Sequence, residues 1–93
     1  MRFEWDAVKA ATNFGKHGVS FAEAVEVFDD PNALEAYDPE HSTSVRRYVM
    51  IGLSGRRLLS VVFTEPEPDM VRIISARKAT KKERDVYEQE AIS

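Results

Sequence analysis

Apolar positions in this chain recur first with a helical period and then, past the middle, with a strand period. Phe21, Ala24, Val25 and Phe28 stand at i, i+3, i+4 and i+7, one face of a helix. Ser20 precedes them with Glu23 three residues on, the spacing of a capping box. Upstream, Asp6 is placed to N-cap a helix over Ala7–His17, with Gly18 just past its end. Lys16 and His17 fall in its last turn, where the helix dipole favours cations. The short apolar "FEW" before it suits an edge strand. "DDPN" stops the second helix, because Pro31 pushes Asp30 out of helical geometry.

The period then drops to two. Val45–Leu53 places Val45, Arg47, Val49, Ile51 and Leu53 on one face, and Arg46, Tyr48 and Met50 on the other. Ser54–Gly55 reads as a two-residue hairpin turn with glycine where positive φ is needed. Arg57–Thr64 alternates Arg57, Leu59, Val61 and Phe63 with Leu58, Ser60, Val62 and Thr64. After the turn "EPEPD" comes a strand over Val71–Ala76, and Ala33–Tyr37 is a further candidate. Thr80 and Glu83 repeat the capping-box spacing and open a last helix expected to run to about Ile92.

This order predicts an α+β fold: two N-terminal helices, a twisted antiparallel sheet of three to four strands, and a C-terminal helix. The helices are expected on one face of the sheet, leaving the other partly open. At 93 residues, with no repeat or linker, the chain 1–93 reads as a single domain.

Composition narrows the chemistry. With no cysteine, disulfides and thiolate metal sites are excluded, and two histidines are too few for a histidine-built metal cluster. No P-loop, GxGxxG or HExxH pattern occurs, so neither a nucleotide-dependent nor a zinc-dependent enzyme is indicated, and no cofactor or metal is expected. The apolar runs are too short to span a membrane, and an N-terminus with Glu4 and Asp6 is no signal peptide. A cytoplasmic protein of bacterial type fits.

The net charge of −3 conceals an asymmetry. Residues 1–43 carry three basic side chains against nine acidic, whereas 44–84 carry ten basic against four acidic. Such a field suits a domain with one face toward a polyanion, or one with two different partners. Arginine dominates the basic half, and its planar fork binds phosphate bidentately. The competing reading is that these arginines solvate sheet edges and pair with Glu65, Glu67 and Asp69. Lys81, Lys82 and Arg84 sit at a helix start, against the dipole, where they form either a solvated face or an anion site. His17 either closes its helix or transfers protons near neutral pH. His41 reads as a turn residue, Tyr48 and Trp5 as packing residues, and Tyr87 as either core or a phosphate donor.

The stretches "FEWD", "KHGVSFAEAVEVFDDP", "RYVMIG" and "RIISARKATKKERDVYE" together resemble the BrnT toxins of type II toxin–antitoxin pairs, in order along nearly the whole chain. The resemblance implies a RelE-like fold and a metal-independent ribonuclease. In that chemistry the ribose 2′-OH attacks the adjacent phosphate. It implies His17 as general acid or base, with Lys16 or Tyr87 in reserve, and Arg47, Arg72 and Arg77 as phosphate clamps. "R…IG" lands on Arg47 and "ISAR" on Arg77. Lys16, Arg72, Lys78, Lys81 and Lys82 then grip RNA or dock an acidic antitoxin segment. The implied partner is a BrnA-type antitoxin, with DNA reached only through it and any oligomerisation running through the same complex. The other reading is a non-catalytic module that helps its antitoxin repress transcription.

Overall fold

A computed structural model describes residues 1–41 and 45–91. In chain order it contains β1 (Arg2–Glu4), α1 (Ala7–His17), α2 (Phe21–Glu26), a 3-10 turn (Val27–Asp29), β2 (Leu34–Tyr37), β3 (Arg47–Ser54), β4 (Arg57–Thr64), β5 (Met70–Lys78) and α3 (Lys81–Ala91). The expected end of the last helix at Ile92 lies outside the described residues.

Local chemistry sets the helix boundaries. The Asp6 side chain accepts from Lys9 N, and Gly18 closes α1 in the left-handed region at φ 67°. At α2 the Ser20–Glu23 capping box is complete in both directions. At α3 Glu83 N donates to Thr80 Oγ1 at 3.1 Å, and Thr80 N donates back to Glu83 Oε1 at 2.8 Å.

The sheet departs from expectation in size and direction. It has five strands in the order β1-β5-β4-β3-β2, and β1 runs parallel to β5, so the sheet is mixed. Three residues of "RFE" were enough to add an edge strand because α1 returns the chain beside β5. The hairpin loop is Gly55–Arg56 rather than Ser54–Gly55, since Ser54 pairs with Arg57 and Gly55 takes φ 59°. In β5 the register slips where Val62 pairs Ser75 and Phe63 pairs Ile73, which leaves Ile74 as a bulge.

The helices also lie differently from the single-face expectation. Val19, Phe21, Ala24 and Val27 pack on Leu59, Val61, Phe63, Val71, Ile73 and Ala76 to form the main core. That side is pinned by Arg57 Nη2 to Glu23 Oε2 at 2.6 Å and Ser54 Oγ to Glu26 Oε1 at 2.7 Å. α3 lies on the opposite face. Arg77, in register with Ser60, holds Glu83 of α3 there, and the buried Leu58 and Ser60 point the same way. Covering that end leaves the other half of the face open.

α1 closes a sheet edge. Beyond the end of β1, Asn13 donates Nδ2 to Ala76 O at 2.9 Å and accepts from Ala76 N at 3.1 Å, as a neighbouring strand would. The same Nδ2 donates to Val19 O at 3.1 Å. At the far side, Asp30 Oδ2 receives Tyr87 Oη at 2.7 Å and Leu53 N at 2.8 Å, tying α3 to β3. Gly52 beside it is required by close approach, for a Cβ there would stand 2.8 Å from Val27 Cγ1.

Candidate RNA-binding face

The open part of the sheet presents two cross-strand rows. Glu4, Arg72, Thr64 and Arg47 are in register across β1, β5, β4 and β3, and alternation puts all four on the face opposite the main core. Ala36, Val49, Val62 and Ser75 form the next row. A shallow apolar floor is therefore bounded by arginines.

Arg72 and Arg47 stand two strands apart, about 10 Å between backbones. Arg77 shares their face but lies four positions further along β4's register, roughly 13 Å from Arg72 and about 16 Å from Arg47 between backbones. Their side chains are 33% (Arg47), 47% (Arg72) and 42% (Arg77) exposed, so all three reach solvent. Each also has a carboxylate within reach. Arg72 pairs with Glu4, and Arg47 Nε lies 4.0 Å from Asp38 Oδ2. Arg77 makes a fork to Glu83, with Nη1 to Oε1 at 2.8 Å and Nη2 to Oε2 at 3.0 Å. The hydrogen bonds that Arg77 donates to Glu83 raise the Arg77 pKa, and the same contact lowers that of Glu83.

His17 and Lys16 stand at the β5 margin of this face. Together with Thr12, Asn13, Ile74 and Ser75 they line an open cavity of about 280 Å³. The bulge at Ile74 turns it and Ser75 toward this cavity, and Asn13 fixes the height of α1 against β5. Across the sheet, His41 Nδ1 lies 2.8 Å from Asp38 Oδ2. Burial pushes the Asp38 carboxyl up, but the His41 hydrogen bond and the Arg47 charge outweigh it and hold it below its ordinary value.

The candidates from sequence thus fall in three places. Arg47, Arg72, Lys16 and His17 surround the open face. Arg77 and Tyr87 belong to the seam under α3. Lys78, Lys81 and Lys82 are exposed at the end of the sheet and the start of α3, with Lys81 Nζ 3.4 Å from Asp85 Oδ2. Tyr87 is buried, and its hydroxyl is committed to Asp30. Burial and then the Asp30 contact push its pKa up to about 12, which suits a fixed donor and not proton transfer at neutral pH. The three arginines share a face without converging on one point, since strand spacing holds them apart.

The profile of the family described as "Ribonuclease toxin, BrnT, of type II toxin-antitoxin system" matches residues 5–83. The chain belongs to the BrnT family. A similar solved structure is the 1.1 Å crystal structure of the Brucella abortus ribonuclease toxin BrnT, with a TM-score of 0.66 and 29% identity. The match covers 87% of this chain and 99% of that one. No curated relative matches the chain. No helix among the described residues is long and apolar enough to cross a membrane.

Asn13 and Asp30 were missed in the sequence. Asparagine is a poor residue for a helix interior, so Asn13 in mid-helix hinted at a tertiary duty. In the sequence Asp30 reads only as part of a helix stop. Nothing in its local sequence points to Tyr87 of α3, which lies 57 residues away.

Proposed function

We propose that this BrnT-family chain is a metal-independent endoribonuclease, bound and silenced by a BrnA-type DNA-binding antitoxin in the cytoplasm. The observation that carries the reading is the open sheet face: Arg47 and Arg72 across its floor, with His17 and Lys16 at the Ser75 margin. In this reading RNA lies across the face with its phosphates against the arginines. His17 accepts the 2′-OH proton as that oxygen attacks phosphorus, or returns a proton to the departing 5′-oxygen. The P–O5′ bond breaks, leaving a 2′,3′-cyclic phosphate. Lys16, Arg72 and Arg47 stabilise the charge that grows on the phosphoryl oxygens. Arg77 adds positive potential while anchoring α3.

The test is cleavage of a defined oligoribonucleotide in EDTA, with the ends analysed for 2′,3′-cyclic phosphate. We expect cleavage to persist under chelation, to stop when the cleaved nucleotide is 2′-deoxy, and to fall at least ~10²-fold in His17→Ala. Activity lost on chelation and restored by a divalent ion would overturn the metal-free mechanism. An inert protein that still binds its antitoxin and strengthens operator repression would favour the non-catalytic reading.

A further inference from the structure

The end of the sheet carries a second basic feature that the open face does not use. Arg56, Arg57, Leu58, Lys78, Ala79 and Arg84 line a groove of about 250 Å³ with no carboxylate in its wall. It forms where the β3–β4 hairpin meets the link from β5 to α3, fixed by Ala79 N donating to Leu58 O at 2.9 Å. Arg57 is neutralised by Glu23. Arg56, Lys78 and Arg84 are exposed, and none has a side-chain hydrogen bond or ion pair to another described residue. Three cations of one sign around one groove repel one another unless an anion joins them.

The groove is joined to the His17 site. Arg57 Nη2 also donates to Gly18 O, the residue after His17, at 3.3 Å. Lys78 lies three residues beyond Ser75 of the His17 cavity, about 10 Å along β5, and alternation turns it to the other side of the sheet at the strand's end. A chain of phosphates leaving that cavity reaches the groove by turning round the end of β5.

We infer that this groove is a phosphate-backbone subsite that holds RNA flanking the scissile bond through Arg56, Lys78 and Arg84. It deepens the ribonuclease reading above and rests on it for the identity of the ligand. The contacts are to phosphate and carry no base information, so the subsite adds affinity without sequence preference.

Binding of a 2′-O-methyl oligoribonucleotide, which lacks the attacking hydroxyl, measures this apart from cleavage. Fluorescence anisotropy across a salt series gives the slope of log K against log salt. Each phosphate contact to a single strand contributes about 0.7 to that slope. Arg56→Ala/Arg84→Ala is expected to flatten it by roughly 1.4 and weaken binding by about 10-fold or more at low salt. Arg56→Glu/Arg84→Glu should weaken it further. Both sites are exposed, and unchanged thermal melting checks the fold. Arg2→Ala/Arg46→Ala removes equal charge at the opposite end of the sheet and should change the slope less. An unchanged slope in the groove variant, or an equal change in the control pair, overturns the subsite. So does loss of antitoxin affinity with RNA binding intact, which would give the groove to the protein partner. Groove-dependent binding of the oligomer with no cleavage of ordinary RNA would instead defeat the nuclease reading and leave the subsite standing.

Discussion

Replacing Asn13 with alanine should be among the most damaging single changes to this protein, although the residue touches no ligand in the mechanism. Its amide makes three bonds to backbone: Nδ2 to Val19 O at 3.1 Å, Nδ2 to Ala76 O at 2.9 Å, and Oδ1 from Ala76 N at 3.1 Å. The side chain is 6% exposed, so water does not replace it readily. A net ~0.5–1.5 kcal/mol per hydrogen bond, with partners left unsatisfied, gives a loss of about 2–4 kcal/mol. A chain of this size is expected to have about 5–14 kcal/mol in total. The midpoint of thermal unfolding should then fall by about 10–25 °C. Asn13→Asp should be at least as harmful, because it replaces the donating Nδ2 by a carboxylate oxygen, an acceptor facing two carbonyl oxygens. The measurement is urea unfolding followed by tryptophan fluorescence, with the slope m checked for constancy. RNA cleavage should also fall at temperatures where the variant stays folded, since α1 carries Lys16 and His17 to the β5 margin. Asn13→Ala within 1 kcal/mol of the parent would refute the reasoning. It would mean that α1 is held to the sheet by its apolar contacts alone.

Glu83→Gln tests the α3 seam through pH. The Arg77 contact depresses the Glu83 pKa below its ordinary 4.5, so this ion pair contributes fully above pH 4.5. The contribution is lost as pH falls through the depressed value, so Glu83→Gln should lower stability at neutral pH and flatten the acid limb seen by chemical denaturation. A parallel pH profile for parent and variant would count against it. Gly52→Ala should cost about 1–3 kcal/mol by urea unfolding, as its Cβ would stand 2.8 Å from Val27 Cγ1 and 3.0 Å from Ala33 Cβ; a neutral result would mean that this packing yields. Tyr87→Phe should lose about 1–2 kcal/mol of stability through the broken bond to Asp30, yet keep its cleavage rate where folded. A rate loss of 100-fold in Tyr87→Phe would return that phenol to the chemistry.

Local rules were enough for the parts of this protein held by neighbours in sequence. The caps at Asp6, Ser20 and Thr80, the span Ala7–His17, the left-handed Gly18 and the strand Arg57–Thr64 all follow from short-range periodicity and side-chain chemistry. The quoted motifs likewise carried the family, because they lie in one order across the chain. Tertiary structure decided what alternation leaves open. Period two gives a strand two faces without saying which is covered, and β3 turns Tyr48 and Met50, not Val49 and Ile51, toward the main core. Parallel pairing of β1 with β5 joins residues 68 apart, and no local pattern encodes such a partner. The same holds for the basic residues. Sequence gathered the arginines in one half of the chain, but only strand register put Arg47 and Arg72 in one row on the open face. Only the folded end of the sheet turned Arg77 to Glu83 and grouped Arg56, Lys78 and Arg84 around a separate groove. Charge is local in sequence, whereas the field it makes depends on which strands the fold sets side by side.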